Sequence, residues 1–183
     1  MRDHWLVLPS DLRGPGLTIR FAPAAAERFV RENSARYLHL DPHFISQICF
    51  EHPDRFDALL PRFDPALHAA LRIRKPAGWI IESTRWEDGS VVDFWCSRFE
   101  RLFPIGDPAD EVLSAMLQTG SWHFPPVIVE STLAASLGAP AEIGTPYLLV
   151  EGTHRVSYLR SMLRRGLSEP TRLLDVIEIV RAE

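Results

Sequence analysis

Hydrophobic and polar positions change period several times along the chain, and each change marks an expected element. Trp5 to Leu8 and Leu17 to Phe21 read as two short strands, separated by Asp11, Gly14, Pro15 and Gly16, which supply turn geometry. From Pro23 the spacing becomes helical: Phe29, Val30, Tyr37 and Leu38 recur at helical spacing until Asp41-Pro42 interrupts them. Two or three short helices are expected next. Phe44, Ile45, Ile48 and Cys49 form one apolar stripe, and Pro53 and Pro65 occupy first-turn positions of the following segments. Between Gly78 and Ser97 the period shifts again, with WIIESTRW and VVDFWCS flanking Glu87-Asp88-Gly89-Ser90. Asp-Gly is the strongest short hairpin signal, so this stretch predicts a β-hairpin.

The second half alternates strands and helices. Asp107-Pro108 opens a helix carrying Val112, Leu113, Met116 and Leu117, and Gly120 closes it. Pro125-Pro126-Val127-Ile128-Val129 reads as a buried strand with its prolines at the start, where a missing N–H is tolerated. Thr132 to Leu137 predicts a helical turn, Tyr147 to Val150 a strand, Thr153 to Arg165 a helix and Leu173 to Val180 a last strand. The class is therefore α+β: residues 1–102 form an N-terminal helical and β-hairpin extension, packed on a β-α-β-α-β domain over residues 103–183. No repeat or low-complexity tract interrupts this order.

Composition narrows the possibilities without selecting one. The chain has 183 residues, 46% hydrophobic and 24% charged, values that exclude a fibrous repeat or a disulfide-stapled miniprotein. A net charge of −4 argues against a general polyanion binder. Cys49 and Cys96 are far apart and form no CxxC, so no zinc or dithiol site of that type is expected. No apolar run reaches signal-peptide or membrane-span length, and a soluble, cytoplasmic protein with no membrane partner is the expectation.

The chemistry concentrates in TPYLLVEGTHRVSYLRSMLRRG, Thr145 to Gly166, where an apolar strand runs through Glu151-Gly152 directly into a helix. Gly152 permits a tight turn and close approach of a ligand, and Thr153 is placed to cap the helix. Val156, Leu159, Met162 and Leu163 form the core stripe, with Ser157, Arg160, Ser161 and Arg164 opposite and Arg155 inside the apolar stripe. A guanidinium in the first helical turn opposes the dipole, at a cost of ~0.3–1 kcal/mol unless an anion is present. Protonated His154 would add a second cation. Free N–H groups, a glycine turn, Arg155 and His154 are together what a phosphate needs. The alternative is that Arg155 pairs with Glu151 and staples the turn.

The same segment resembles the ParB/sulfiredoxin superfamily. The resemblance covers about residues 103–183 and rests on the acid-Gly-x-[His/Arg]-Arg turn, matched by Glu151, Gly152, His154 and Arg155, with FPPVIV supplying order and spacing. It implies a nucleotide-phosphate site: CTP in chromosome-partitioning proteins, ATP in sulfiredoxins, ADP in the related free serine kinases. This chain departs from those patterns in three ways. Thr153 stands where sulfiredoxins place their catalytic cysteine, and a hydroxyl cannot replace that thiolate. Tyr158 stands where partitioning proteins have alanine. No helix-turn-helix follows the domain before Glu183, so sequence-specific DNA binding is not expected of this chain.

Several other residues join the candidate site. His123 matches the segment lining the nucleotide pocket in those families, where a base could stack on Trp122 or Phe124. Ser114 is placed to reach a phosphate from the preceding helix. Glu151 is the candidate base or Mg²⁺ ligand beside the phosphate turn, with Glu130 a second candidate and His154 a catalytic partner. His39 and His43 flank Asp41 but lack a third ligand at informative spacing, so no metal site is expected. Two function classes follow. One is a nucleotide-dependent phosphotransferase or NTPase using ATP, ADP or CTP with Mg²⁺. The other is a non-catalytic nucleotide sensor or interaction module whose first hundred residues meet a protein partner. The oligomeric state is left open.

Overall fold

The computed structural model describes residues 8–9, 12–14, 23–85, 89–105, 110–139 and 146–182. It is a mixed α+β structure built on one five-stranded sheet. In chain order the elements are α1 (Pro23–Arg36), α2 (Pro42–Phe44), a π-helical segment (Ile45–Glu51), α3 (Pro53–Leu59), β1 (His68–Pro76), α4 (Ala77–Ser83), β2 (Thr84–Arg85) and α5 (Gly89–Leu102). There follow α6 (Glu111–Thr119), β3 (Val127–Glu130), α7 (Ser131–Ser136), β4 (Tyr147–Glu151), α8 (Thr153–Arg164) and β5 (Leu173–Arg181).

The strand order is β1-β5-β3-β4-β2. β1 and β5 are antiparallel, β5 and β3 parallel, β3 and β4 antiparallel, β4 and β2 parallel. The continuous apolar runs of β3, β4 and β5 have a simple cause: both faces of the sheet are covered, so alternate residues enter two different cores. Val127, Val129, Leu148, Val150, Ile177 and Ile179 face a core with Phe44, Ile45, Ile48 and Phe56. Ile128, Leu149, Leu174 and Val176 face the other, with Phe99, Met116, Tyr158 and Leu159.

Several expected elements are present with their expected end signals. Gly120 closes α6 in the left-handed region (φ 65°), and the strands near 127, 147 and 173 alternate with α7 and α8 in the β-α-β-α-β order. The strand over 17–21 lies outside the described residues; that over 5–8 does too, apart from the buried Leu8. Asp107-Pro108 lies outside them as well, and the described start of α6 is the Asp110 cap.

The β-hairpin is a correction. WIIES belongs to α4 and VVDFWCS to α5, with only Thr84–Arg85 extended between them, parallel to β4. The apolar positions Val92, Trp95, Cys96 and Phe99 also fit helical spacing, and packing against α8 selects the helix over the local turn signal. Pro65 is likewise no helix start; it lies in the turn that leads into β1. Its carbonyl accepts from His39 Nε2 at 2.5 Å.

Candidate functional site

Gly152 is the N-cap of α8 and has φ 104°, a conformation that disfavours any residue with a Cβ. Its bareness is needed by the protein itself, because an added Cβ would lie 2.6 Å from Pro126 Cβ and 2.9 Å from its Cα. Thr153 does not cap the helix. It is the first helical residue, and no side chain caps this N-terminus. The strand-to-helix turn is thus wedged against the start of β3, and its two basic residues leave it in different directions.

His154 turns toward α5. Its ring stacks on Trp95, with centroids 3.8 Å apart and planes at 17°, and meets Tyr158 edge-on at 4.3 Å. Nε2 lies 3.8 Å from Asp110 Oδ2 and makes no hydrogen bond. Burial depresses the imidazole to a pKa of about 4, with Arg155 and Arg98 adding to the effect and Asp110 and Glu151 opposing it. His154 is therefore neutral at physiological pH, and the expected pair of adjacent cations is reduced to one.

Asp110 is the centre of the network around that ring. Its carboxylate accepts from Leu113 N–H at 2.9 Å, capping α6, from the Tyr158 hydroxyl at 2.8 Å and from Arg98 Nε at 3.2 Å. Burial pushes its pKa up, but these hydrogen bonds outweigh burial and hold it below the ordinary aspartate value. The tyrosine at position 158 thus has a structural purpose: it fills the core and ties α8 to α6. Ser157 and Ser161, expected on the solvent side, are buried because α5 covers that face, with Cys96 Sγ 3.5 Å from the Ser157 carbonyl.

Arg155 turns the other way. It is 13% exposed, its Nη2 donates to Gln47 Oε1 at 2.5 Å, and its Nε is buried without a partner. Glu151 Oε1 is 3.6 Å from Nη2, too far for a hydrogen bond, while Glu151 Oε2 lies 3.5 Å from Arg55. Burial pulls the Arg155 pKa below its usual value, and Glu151 and Glu51 offset only part of this. The residue remains a cation with incomplete compensation. Such a charge is costly unless something pairs with it.

Arg155 lines a cleft of about 60 Å³ with Glu111, Val112, Ala115, Trp122, His123 and Phe124. A buried water needs ~10–15 Å³ on this scale, so the cleft takes a phosphate-sized group and not a whole nucleotide. His123 and Phe124 are exposed at its rim, and Trp122 is buried with Nε1 donating to the Asp175 carbonyl at 2.7 Å.

The expected site residues are therefore divided. Glu151, Gly152 and Arg155 share the turn, and His123 lines the same cleft as Arg155; His154 faces α5. Ser114 sits half-buried in the first turn of α6, its N–H bonded to the Asp110 carbonyl, and is not among the cleft-lining residues. Glu130 pairs in register with Tyr147, four residues up β4 from Glu151 and hence about 13 Å away. It caps α7 through Leu133 N–H at 3.1 Å. Among the described residues no group of three or more His, Cys, Asp or Glu side chains is arranged to hold a metal, and no helix is long and apolar enough to cross a membrane.

Sequence reasoning missed Gln47, Trp95, Arg98 and Asp110 as parts of this region. Two had a readable signal: Gln47 is a polar residue inside the apolar stripe Phe44–Cys49, and Asp110 immediately precedes an apolar helical run. No protein-family description, curated protein or solved structure matches the chain.

Proposed function

We propose that the protein binds a phosphorylated ligand, a nucleotide such as ATP, ADP or CTP, with one phosphoryl group at Arg155 beside the N-terminus of α8. The observation that carries this reading is the buried Arg155 cation, with an unpartnered Nε, on the wall of a phosphate-sized cleft. Arg155 lies in the first turn of α8, where no side chain caps the helix and its dipole favours an anion. The remainder of the nucleotide would lie over exposed His123 and Phe124, where an aromatic face is available to a base. The resemblance of the turn to the ParB/sulfiredoxin superfamily points to the same ligand class.

Binding without turnover is the form of this reading that the geometry favours. Glu151 stands between Arg55 and Arg155, and His154 packs on Trp95, so the two candidate catalytic groups do not converge on the cleft. A thermal-shift panel of phosphate, ATP, ADP, CTP and GTP, with and without Mg²⁺, tests it. A ligand at about 100 times its Kd adds about 2.7 kcal/mol of stability. Arg155→Ala should abolish that gain, since a charge-assisted contact is worth roughly 1.5–3 kcal/mol. No response to any member of the panel would refute the reading, and steady hydrolysis of a bound triphosphate would turn it toward phosphoryl transfer.

A further inference from the structure

We propose that Gln47 is the positioning residue of the Arg155 site: its neutral amide holds the guanidinium in place while leaving the positive charge for an anionic group from outside. The inference rests on the anion-binding reading above and assigns part of that site to the first half of the chain, outside the glycine turn.

Gln47 lies in the π-helical segment, a form of helix that is rare and frequent at functional sites. It is 3% exposed, and both ends of its amide are committed. Nε2 donates to the Pro125 carbonyl at 3.0 Å and to the His43 carbonyl at 3.3 Å, while Oε1 accepts from Arg155 Nη2 at 2.5 Å. The two carbonyls accept only and the guanidinium donates only, so the orientation of the amide follows from its neighbours. No other side-chain type of this size meets both demands. A carboxylate would set an anionic oxygen against two carbonyls, and a hydrocarbon would remove the donor from both carbonyls and the acceptor from Arg155 Nη2.

The charges around Arg155 make the amide's neutrality consequential. A carboxylate at position 47 would form a short, buried ion pair and neutralise the guanidinium from within. Among the described residues the carboxylate paired with it, Glu151, instead stops at 3.6 Å and is shared with Arg55. The guanidinium is thereby fixed in direction, with Nε unpartnered, before any ligand arrives. That is the preorganisation an anion site requires, because the ordering cost is not charged to binding.

Arginine Nε–H resonances of the full chain provide the test, with inorganic phosphate as the probe and Arg155→Lys assigning the signal. In the wild type the Arg155 Nε–H should be rigid without ligand, with an order parameter near ~0.85, and should shift on phosphate addition. Gln47→Met should lower the order parameter below ~0.6 and weaken phosphate binding by roughly tenfold or more. Gln47→Glu should keep the group rigid yet lose phosphate affinity by a similar factor, a separation of order from affinity that a purely structural residue would not produce.

A mobile Arg155 Nε–H in the wild type, or undiminished phosphate affinity in both variants, overturns the role of Gln47. A rigid Arg155 that is silent to phosphate overturns the binding reading instead. The wild-type order parameter decides the positioning claim even where a variant does not fold.

Discussion

His154 and Arg155 follow one another in the first turn of α8, yet one enters a packed network and the other a cleft wall. Around His154 the charges are matched: Asp110 accepts from Tyr158, Arg98 and a backbone N–H, and the imidazole lies neutral against Trp95. Around Arg155 they are not, since a neutral amide is the guanidinium's hydrogen-bond partner and the nearby carboxylate stands off at 3.6 Å. Successive helical residues point about 100° apart, so adjacent positions of one motif serve different surroundings. A turn of the form acid-Gly-x-His-Arg thus sends its two basic side chains into two environments, and its histidine here packs on Trp95.

The most damaging way to disturb both sides at once is Gly152→Ala. A Cβ at φ 104° is strained, and it would overlap Pro126 at 2.6 Å. The left-handed backbone and the overpacking together should cost about 3–4 kcal/mol in urea unfolding. Trp95 fluorescence and the phosphate response should change together, because both neighbours hang from this turn. A loss under about 1 kcal/mol would mean that the turn is not wedged against β3 as described.

The comparison sharpens with a substitution confined to the network. Asp110→Ala removes the α6 cap, deprives the buried Tyr158 hydroxyl of its carboxylate acceptor and takes the carboxylate from Arg98. A cap is worth about 1 kcal/mol and a hydrogen bond to a charged group roughly 1.5–3 kcal/mol, so a loss of about 3 kcal/mol is expected. Phosphate affinity of the folded protein should fall far less than with Arg155→Ala, the share that is lost coming through Glu111 and Val112 of the same helical turn, which line the cleft. A drop as large as that of Arg155→Ala would tie the two environments into one site and erase the distinction.

How much of this could be read beforehand follows the same division between local and tertiary causes. β3, β4, β5 and α8 are visible because their apolar runs and turn glycines agree with their final environment. α5 is hidden by an Asp-Gly pair that is locally a hairpin signal, whereas Gly89 opens a helix and burial against α8 decides. β1 is easily overlooked although Leu71, Arg72, Ile73 and Arg74 alternate with the period of a strand, because its pairing with β5 joins residues about a hundred positions apart. Arg155 was legible as an anomaly, a cation in an apolar stripe. Gln47 carries a similar anomaly, a polar residue in an apolar stripe, but its pairing with Arg155 is not legible, since which buried amide meets which guanidinium is fixed only when the π-helical segment packs against α8 and Pro125.

The smallest of these effects is a pH dependence belonging to His154 alone. Its pKa is about 4 in the folded protein and ~6.5 in an unfolded chain, so between those values the unfolded state binds the extra proton. Stability should therefore be complete above about pH 6.5 and fall as the pH drops toward 4. The expected contribution is about 2 kcal/mol, reduced from the full conversion because the ring keeps 24% of its exposure and the screening that goes with it. Asp110, held below its ordinary value, acts in the same sense but at lower pH, where its carboxylate begins to protonate. His43 shares the window, being depressed first by burial and then by Arg72 and Arg155. His154→Phe keeps a ring for Trp95 and removes the titration, so the slope of stability against pH between 4 and 6.5 should shrink by the share of one proton and not vanish. An unchanged slope would mean that His154 is solvated enough to protonate in place, and the packed side of the turn would then be no more closed than the cleft.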